Sequence, residues 1–274
     1  RVSDKMLNCT DNLIISGFIG VGTVGRYANY SMITQAIINI LTILANTIQP
    51  TIGDYFTEKN YRRNYEILRQ LTFVFFCISS VVAAGLFSLI TPFICDIWLS
   101  PAYELGWGTA VLCIVVLLIK IMGLPLSLMM GVTGLFEKEK NAGASSAILN
   151  LVVSLALVRP YGMTGVLLGT LLSYLLQICY RYVIFFRDFL EMKEEAIRYA
   201  RDLGEYTAVM ILEVAVTRRI IPLIYGNGGM IPFIFCFVLC ILVPLALNGV
   251  FFERGWRLQS IVKMVRGMKR SGSR

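Results

Sequence analysis

Residues 107–140 read WGTAVLCIVVLLIKIMGLPLSLMMGVTGLFEKEK. Thirty residues, from Trp107 to Phe136, carry one charge, Lys120, and then four charged residues stand in a row. The hydrocarbon core of a bilayer takes about 20 apolar residues as a helix. The run is therefore long enough to cross, and Glu137-Lys138-Glu139-Lys140 marks water at its end. Similar runs lie on either side. Val24 to Ile52 ends at Pro50 and Gly53, and Leu71 to Leu99 is followed by the loop Ser100-Pro101-Ala102-Tyr103-Glu104. Downstream come Ala142 to Val158, a tight turn at Arg159-Pro160-Tyr161-Gly162, and Met163 to Phe186. A weak run, Tyr206 to Tyr225, and a last one ending at Phe252 complete the set. The pattern predicts an all-α, polytopic helical membrane bundle with about seven to eight transmembrane helices.

The basic residues give the topology. Twenty of the 25 Lys and Arg fall on one side of the alternating runs; Arg26 and Arg159 fall on the other, and Lys120, Arg218 and Arg219 lie inside runs. Basic loops are retained on the cytoplasmic face, so the C-terminus is expected inside. Composition agrees: 57% of the chain is hydrophobic, 15% is charged, and the mean hydropathy is +0.70. The net charge of +8 belongs to loops facing an anionic leaflet and does not call for nucleic acid. The seven cysteines lie mostly in apolar runs with no CxxC pair, and histidine is absent from the sequence. They read as small apolar side chains, so neither a metal site nor a cofactor is expected. Without histidine a His-based acid–base site or a Ser-His-Asp triad is impossible. A membrane glycosyltransferase would need paired carboxylates, whereas Asp96 and Glu104 stand alone in the central outer loops. The chain is expected not to be an enzyme.

Two segments need separate arguments. The first run, Leu13 to Val24, is too short to span, and its position close to Arg1 gives it the look of a cut span. The weak run carries Glu213, Arg218 and Arg219, each costing about 2.5–3.5 kcal/mol at a helix centre. Were it not to cross, the tail from Arg254 to Arg274, with seven basic residues, would land outside. It is therefore expected to cross, packed against neighbours. The tail places Leu258, Ile261, Val262 and Val265 on one helical face, the pattern of an interfacial amphipathic helix. The domains read as a transmembrane lobe over 1–252 and a basic amphipathic tail over 253–274.

Polar residues recur inside the runs. Tyr27, Ser31, Gln35, Asn39, Thr42, Asn46 and Gln49 follow at steps of three and four, which puts all seven on one face of one helix. Amides cannot be satisfied by lipid, so that face meets other helices or a water-filled cavity; a stripe running the whole depth favours the cavity. Lys120, Gly123, Ser127, Gly131 and Gly134 form a second face, in a run that Pro125 is expected to break or kink. A lysine halfway down a span expects an anionic partner. That partner is either a carboxylate, Asp11 or Glu213, or a bound phosphate. Ser146, Asn150 and Ser154 repeat at spacing four, and Gly162, Gly165, Gly169 and Ser173 form a small-residue face suited to close helix packing.

Several of these stretches resemble one family. Thr10 to Gly20, with the Val24-Gly25-Arg26-Tyr27-Ala28-Asn29-Tyr30 segment, is similar to the start of the C-terminal lobe of bacterial polysaccharide flippases. These are the Wzx-type members of the multidrug/oligosaccharidyl-lipid/polysaccharide exporter superfamily. Gly134-Leu135-Phe136, Asn150 to Val158, and Tyr161 to Thr170 resemble the centre of that lobe, and Phe251-Phe252-Glu253 before a basic tail resembles its close. The resemblance implies one lobe of a two-lobed transporter of the bacterial cytoplasmic membrane, working by alternating access. The implied partners are a polyprenyl-pyrophosphate-linked oligosaccharide, membrane lipids, and a missing N-terminal lobe or a second copy. It implies Lys120 as the pyrophosphate-holding residue, with Arg26 and Asn29 in the Gly-x-Tyr-x-Asn-Tyr stretch as further binding candidates. The amide face of Gln35, Asn39 and Asn46 would meet sugar hydroxyls, and Asp11 is the candidate for ion coupling. The alternatives are a multidrug/cation antiporter of the same superfamily, whose cavity should be acidic and aromatic, peptidoglycan-precursor flipping, and a non-transporting half-lobe acting as an assembly subunit.

Overall fold

A computed structural model of the chain describes residues 14–55, 60–190, 192–226 and 229–252. Among them there is no strand. Seven long helices follow one another: α1 (Val21–Tyr55), α2 (Tyr61–Pro92), α3 (Trp107–Val132), α4 (Phe136–Tyr161), α5 (Met163–Val183), α6 (Lys193–Tyr225) and α7 (Met230–Phe252). In an apolar medium the backbone has no water to bond, so the long apolar runs close their hydrogen bonds internally. Six stretches are long and apolar enough to cross a membrane: Gly22–Asp54, Tyr61–Trp98, Trp107–Val132, Ala142–Tyr161, Met163–Leu190 and Met230–Phe252. The chain is an all-α bundle of the multi-pass membrane type.

Several boundaries differ from the sequence expectation. Of the first run, residues 14–18 are helical, and the helix stops at Gly20, whose φ of 109° suits glycine. Pro125 lies buried within α3 without breaking it, Pro50 lies within α1, and α4 runs on through Arg159-Pro160-Tyr161. The turn expected at Arg159 to Gly162 is made by Gly162 alone, at φ 57°.

The chain divides into two compact units. The first holds α1, the segment from Leu89, and α3 to α5. In it α3 and α5 run parallel: Thr109 meets Thr164 at 3.2 Å, Val116 packs with Tyr174, and Gly123 faces Ile178. α1 runs the same way beside α3, since Tyr30 Oη accepts from the Leu105 amide at 3.3 Å and Gln49 lies against Gly131. α4 returns antiparallel to α5, with Asn150 donating to Thr170 at 3.1 Å, Ser154 donating to the Val166 carbonyl at 3.2 Å, and Glu139 paired with Arg181 at the other end. The small-residue face is packing, as expected. A Cβ on Gly165 would overlap the Leu157 carbonyl, and one on Gly169 would overlap Ser154. Ser146, Asn150 and Ser154 are all buried, the last two holding α4 to α5.

The second unit holds α2 as far as Ser88, α6 and α7. Its core is aromatic. Phe76 stacks on Tyr206 at 4.5 Å, and Phe252 meets Phe73 and Phe76 edge-on at 5.3 and 5.7 Å. Beside it, Asp202 accepts from Arg69 Nε and Nη2 at 2.7 and 2.6 Å, and Thr72 meets Tyr199 at 3.1 Å. The order Asp202–Arg69, Tyr206–Phe76, Glu213–Ser80 makes α6 parallel to α2. The order Phe252–Phe73, Asn248–Ser80, Cys240–Ala84 makes α7 antiparallel to α2.

The weak run is not among the apolar stretches. It forms the second half of one continuous helix, α6, which is too charged to rank with the six apolar stretches. It packs parallel to α2 and is followed by α7. Glu213 points inward, while Arg218 and Arg219 are exposed and lie about 10 Å from the helix end, near enough to snorkel toward water. The amphipathic tail over 253–274 lies outside the described residues.

Candidate functional site

The amide stripe occupies a distinct edge of α1. Tyr30, Thr34, Leu41, Ala45 and Ile52 are the buried face of that helix. Met32, Ile40, Ile43 and Leu44 are its exposed face. At 3.6 residues per turn the polar stripe falls between them, about a quarter-turn round from the buried face. Tyr27, Ser31, Gln35, Thr42, Asn46 and Gln49 are half-buried there, and Asn39 is exposed. The stripe therefore borders α3 instead of pointing wholly into the bundle or wholly away from it.

At the upper part of this border, α1, α3 and α5 enclose a small cavity. Tyr27, Thr34 and Gln35 come from α1, Cys113 and Lys120 from α3, and Thr170 from α5, with aliphatic side chains between them. Three parallel helices at this depth bring the polar side chains together because each presents one short polar step in an apolar face. The cavity measures about 20 Å³, room for about one water molecule. It is a notch in a wall, not a chamber for a large ligand.

Lys120 is the cation of this notch. Its Nζ lies 4.4 Å from the centre of the Tyr174 ring, on α5. A ring face attracts an ammonium by about 0.5–2 kcal/mol, more as water is excluded. Tyr174 is itself 5% exposed and packs on Val116, so the ring is fixed and holds the lysine head at the edge of the cavity. The arrangement can bind an anion by charge and hydrogen-bond hydroxyls through Gln35, Thr34 and Tyr27.

The remaining expected residues are placed as follows. Lys120 and Gln35 share the notch. Asn46 lies half-buried farther along the same helix edge, and Asn39 is exposed there. Neither lines the notch. Arg26 is exposed near the start of α1, and Asn29 spends its amide on the Gly25 carbonyl at 3.2 Å, a contact within its own helix. Asp11 lies outside the described residues. Glu213, the other carboxylate weighed as a partner for Lys120, is packed inside the second unit beside Ser80. Thr34, Cys113, Thr170 and Tyr174 were not anticipated. Thr34 precedes Gln35 in sequence, and Tyr174 stands on the same helix as the Gly165–Gly169–Ser173 face, but an aromatic in an apolar run carries no signal of its own.

Compared with family models, with curated proteins and with solved structures, the chain finds no match. The reading of the site therefore rests on its own geometry.

Proposed function

We propose that this chain is a lobe of a flippase that moves a lipid-linked oligosaccharide precursor from the inner to the outer leaflet of the bacterial cytoplasmic membrane by alternating access. The observation that carries this reading is the joining of a mid-span lysine and Gln35, from the amide edge of α1, in one notch. An ammonium inside a membrane protein suits an anionic head group and opposes a cationic drug. The amides and hydroxyls beside it suit sugar hydroxyls. Because the notch holds about one water, the pyrophosphate binds at its mouth and the sugar lies along the α1 edge, with a second lobe or a second copy closing the passage. The polyprenyl tail stays in lipid. The basic start of α2 and the end of α7 lie at one end of the second unit, which supports a cytoplasmic C-terminus.

The test is binding. The chain in lipid nanodiscs is titrated with a polyprenyl pyrophosphate bearing a fluorescent sugar. Lys120→Ala is expected to weaken binding at least about tenfold, equivalent to about 1.4 kcal/mol, while Lys120→Arg keeps most of it. Equal affinity in the wild type and in Lys120→Ala would remove the pyrophosphate role and the reading with it.

A further inference from the structure

The second unit contains an acid where water does not reach. Glu213 on α6 has no exposed surface, and its carboxyl oxygens make no well-aligned hydrogen bond; among the described residues the Ser80 hydroxyl on α2 is the one neighbour close enough to offer a hydrogen. It lies against α2, beside Ser80 and Cys77. Ser80 donates its hydrogen to the Phe76 carbonyl at 3.2 Å and accepts from Asn248 Nδ2, on α7, at 3.1 Å. That commitment fixes the amide orientation and leaves Asn248 Oδ1, also buried, without a partner. Around Ser80, α6 and α7 thus contribute three oxygens that lack an aligned donor: the two of Glu213 and Asn248 Oδ1.

Among the described residues the surroundings offer the carboxyl no compensating charge. From Gln70 to its end at Pro92 α2 carries no charged residue, and α7 carries none at all. The titratable neighbours are Cys77 on α2 and Cys236 and Cys240 on α7, the last donating its thiol to the Ala84 carbonyl at 3.6 Å. On α6 itself, Arg218 and Arg219 are exposed, and Asp202 is closed onto Arg69 some three turns earlier. A buried ionised carboxylate with neither donor nor counter-ion is among the most costly groups a protein can hold. The carboxyl and the Asn248 amide both come up to Ser80, and a hydrogen or a cation there would relieve the carboxyl. A hard cation wants about six oxygens, more than this cluster supplies.

We propose that Glu213 is a proton-binding site. A proton from water forms an O–H bond at one carboxyl oxygen, and that O–H donates to the orphan oxygen of Asn248, so one hydrogen satisfies two groups and ties α6 to α7 across Ser80. Release returns the proton to water and leaves a buried anion with no counter-ion, which forces water in or α6 away from its neighbours. The site therefore couples a proton to the packing of α2, α6 and α7. It stands independently of the flippase reading, since it lies wholly within the second unit and asks nothing of Lys120.

Dicyclohexylcarbodiimide, an apolar reagent that enters from the bilayer and reacts with protonated carboxyls, tests it on the intact chain in vesicles. Labelling located by peptide mass is expected on Glu213, falling about tenfold for each pH unit above its titration midpoint, and unchanged by added sodium. The Glu213→Gln variant, which copies the protonated acid in shape and donor, is expected to melt like the wild type at pH 6 and to lose that label. Suppression of the label by sodium would make the site a cation site and overturn the proposal. Absence of label on Glu213 at every pH overturns it too.

Discussion

Gly165→Ala is expected to destabilise the chain by about 3 kcal/mol, the upper range for overpacking a close contact, and to lower accumulation in the membrane. The added methyl would enter the Leu157 carbonyl, and both that atom and its carbon belong to backbone. No side chain can swing away, so α4 and α5 must separate. Their separation breaks the Asn150–Thr170 and Ser154–Val166 hydrogen bonds, leaving buried polar groups unsatisfied at about 1–3 kcal/mol each. Gly85→Ala is the control. It lies within α2 with nothing inside 4 Å of the new methyl, and helix propensity gives it up to about 1 kcal/mol in the opposite direction. Thermal unfolding in detergent checks both; equal melting of Gly165→Ala and the wild type would mean that the two helices do not approach this closely.

Asp202→Ala is expected to be as damaging. The carboxylate, with 5% of its side chain exposed, receives two hydrogen bonds from Arg69, whose side chain is 20% exposed. Removing one partner of a buried pair costs about 3–5 kcal/mol, largely because the other charge is stranded. The lower end applies here, because Arg69 retains partial access to water and lies 5.6 Å over the Tyr65 ring. The pair also anchors α6 to α2, so its loss loosens the helix that carries the most charge. The double variant Arg69→Met/Asp202→Leu is expected to recover most of the loss, since packed apolar groups replace a buried pair at little net cost. A double-mutant cycle measures this directly, and additive single effects would show that the two side chains do not act together.

Much of the architecture could be read from residues 107–140 and their counterparts, because long apolar runs separated by charged loops leave few alternatives to membrane helices. The α4–α5 packing was also readable, since glycines at spacing four have few other uses inside a span. Helix ends were less so. Pro125 and Pro160 look like breakers, yet a proline removes one donor only, and both sit in helices that continue past them. The weak run illustrates a different limit. Its charges argue against burial one residue at a time, whereas its packing depends on Arg69, Phe76 and Ser80 of a helix more than a hundred residues earlier. At the site, Lys120 and Gln35 were visible as interruptions of apolar pattern. Tyr174 was not, because a tyrosine in an apolar helix looks the same whether it faces lipid or a lysine. Glu213 was visible as a cost; only the pairing of Asn248 with Ser80 revealed how a cost could become a device.

The ring beneath Lys120 also sets a ceiling on how tightly anything can be held. An anion arriving at the notch does not meet a bare ammonium; it must share or take one already engaged with Tyr174 at 4.4 Å. If that engagement is worth about 1–2 kcal/mol, the apparent affinity drops about five- to thirtyfold. On the flippase reading proposed above that ceiling has a use, since a carrier must let go of its cargo as readily as it takes it up. A lysine with a built-in competitor would release its guest by returning to its ring, with no second charge needed to expel it.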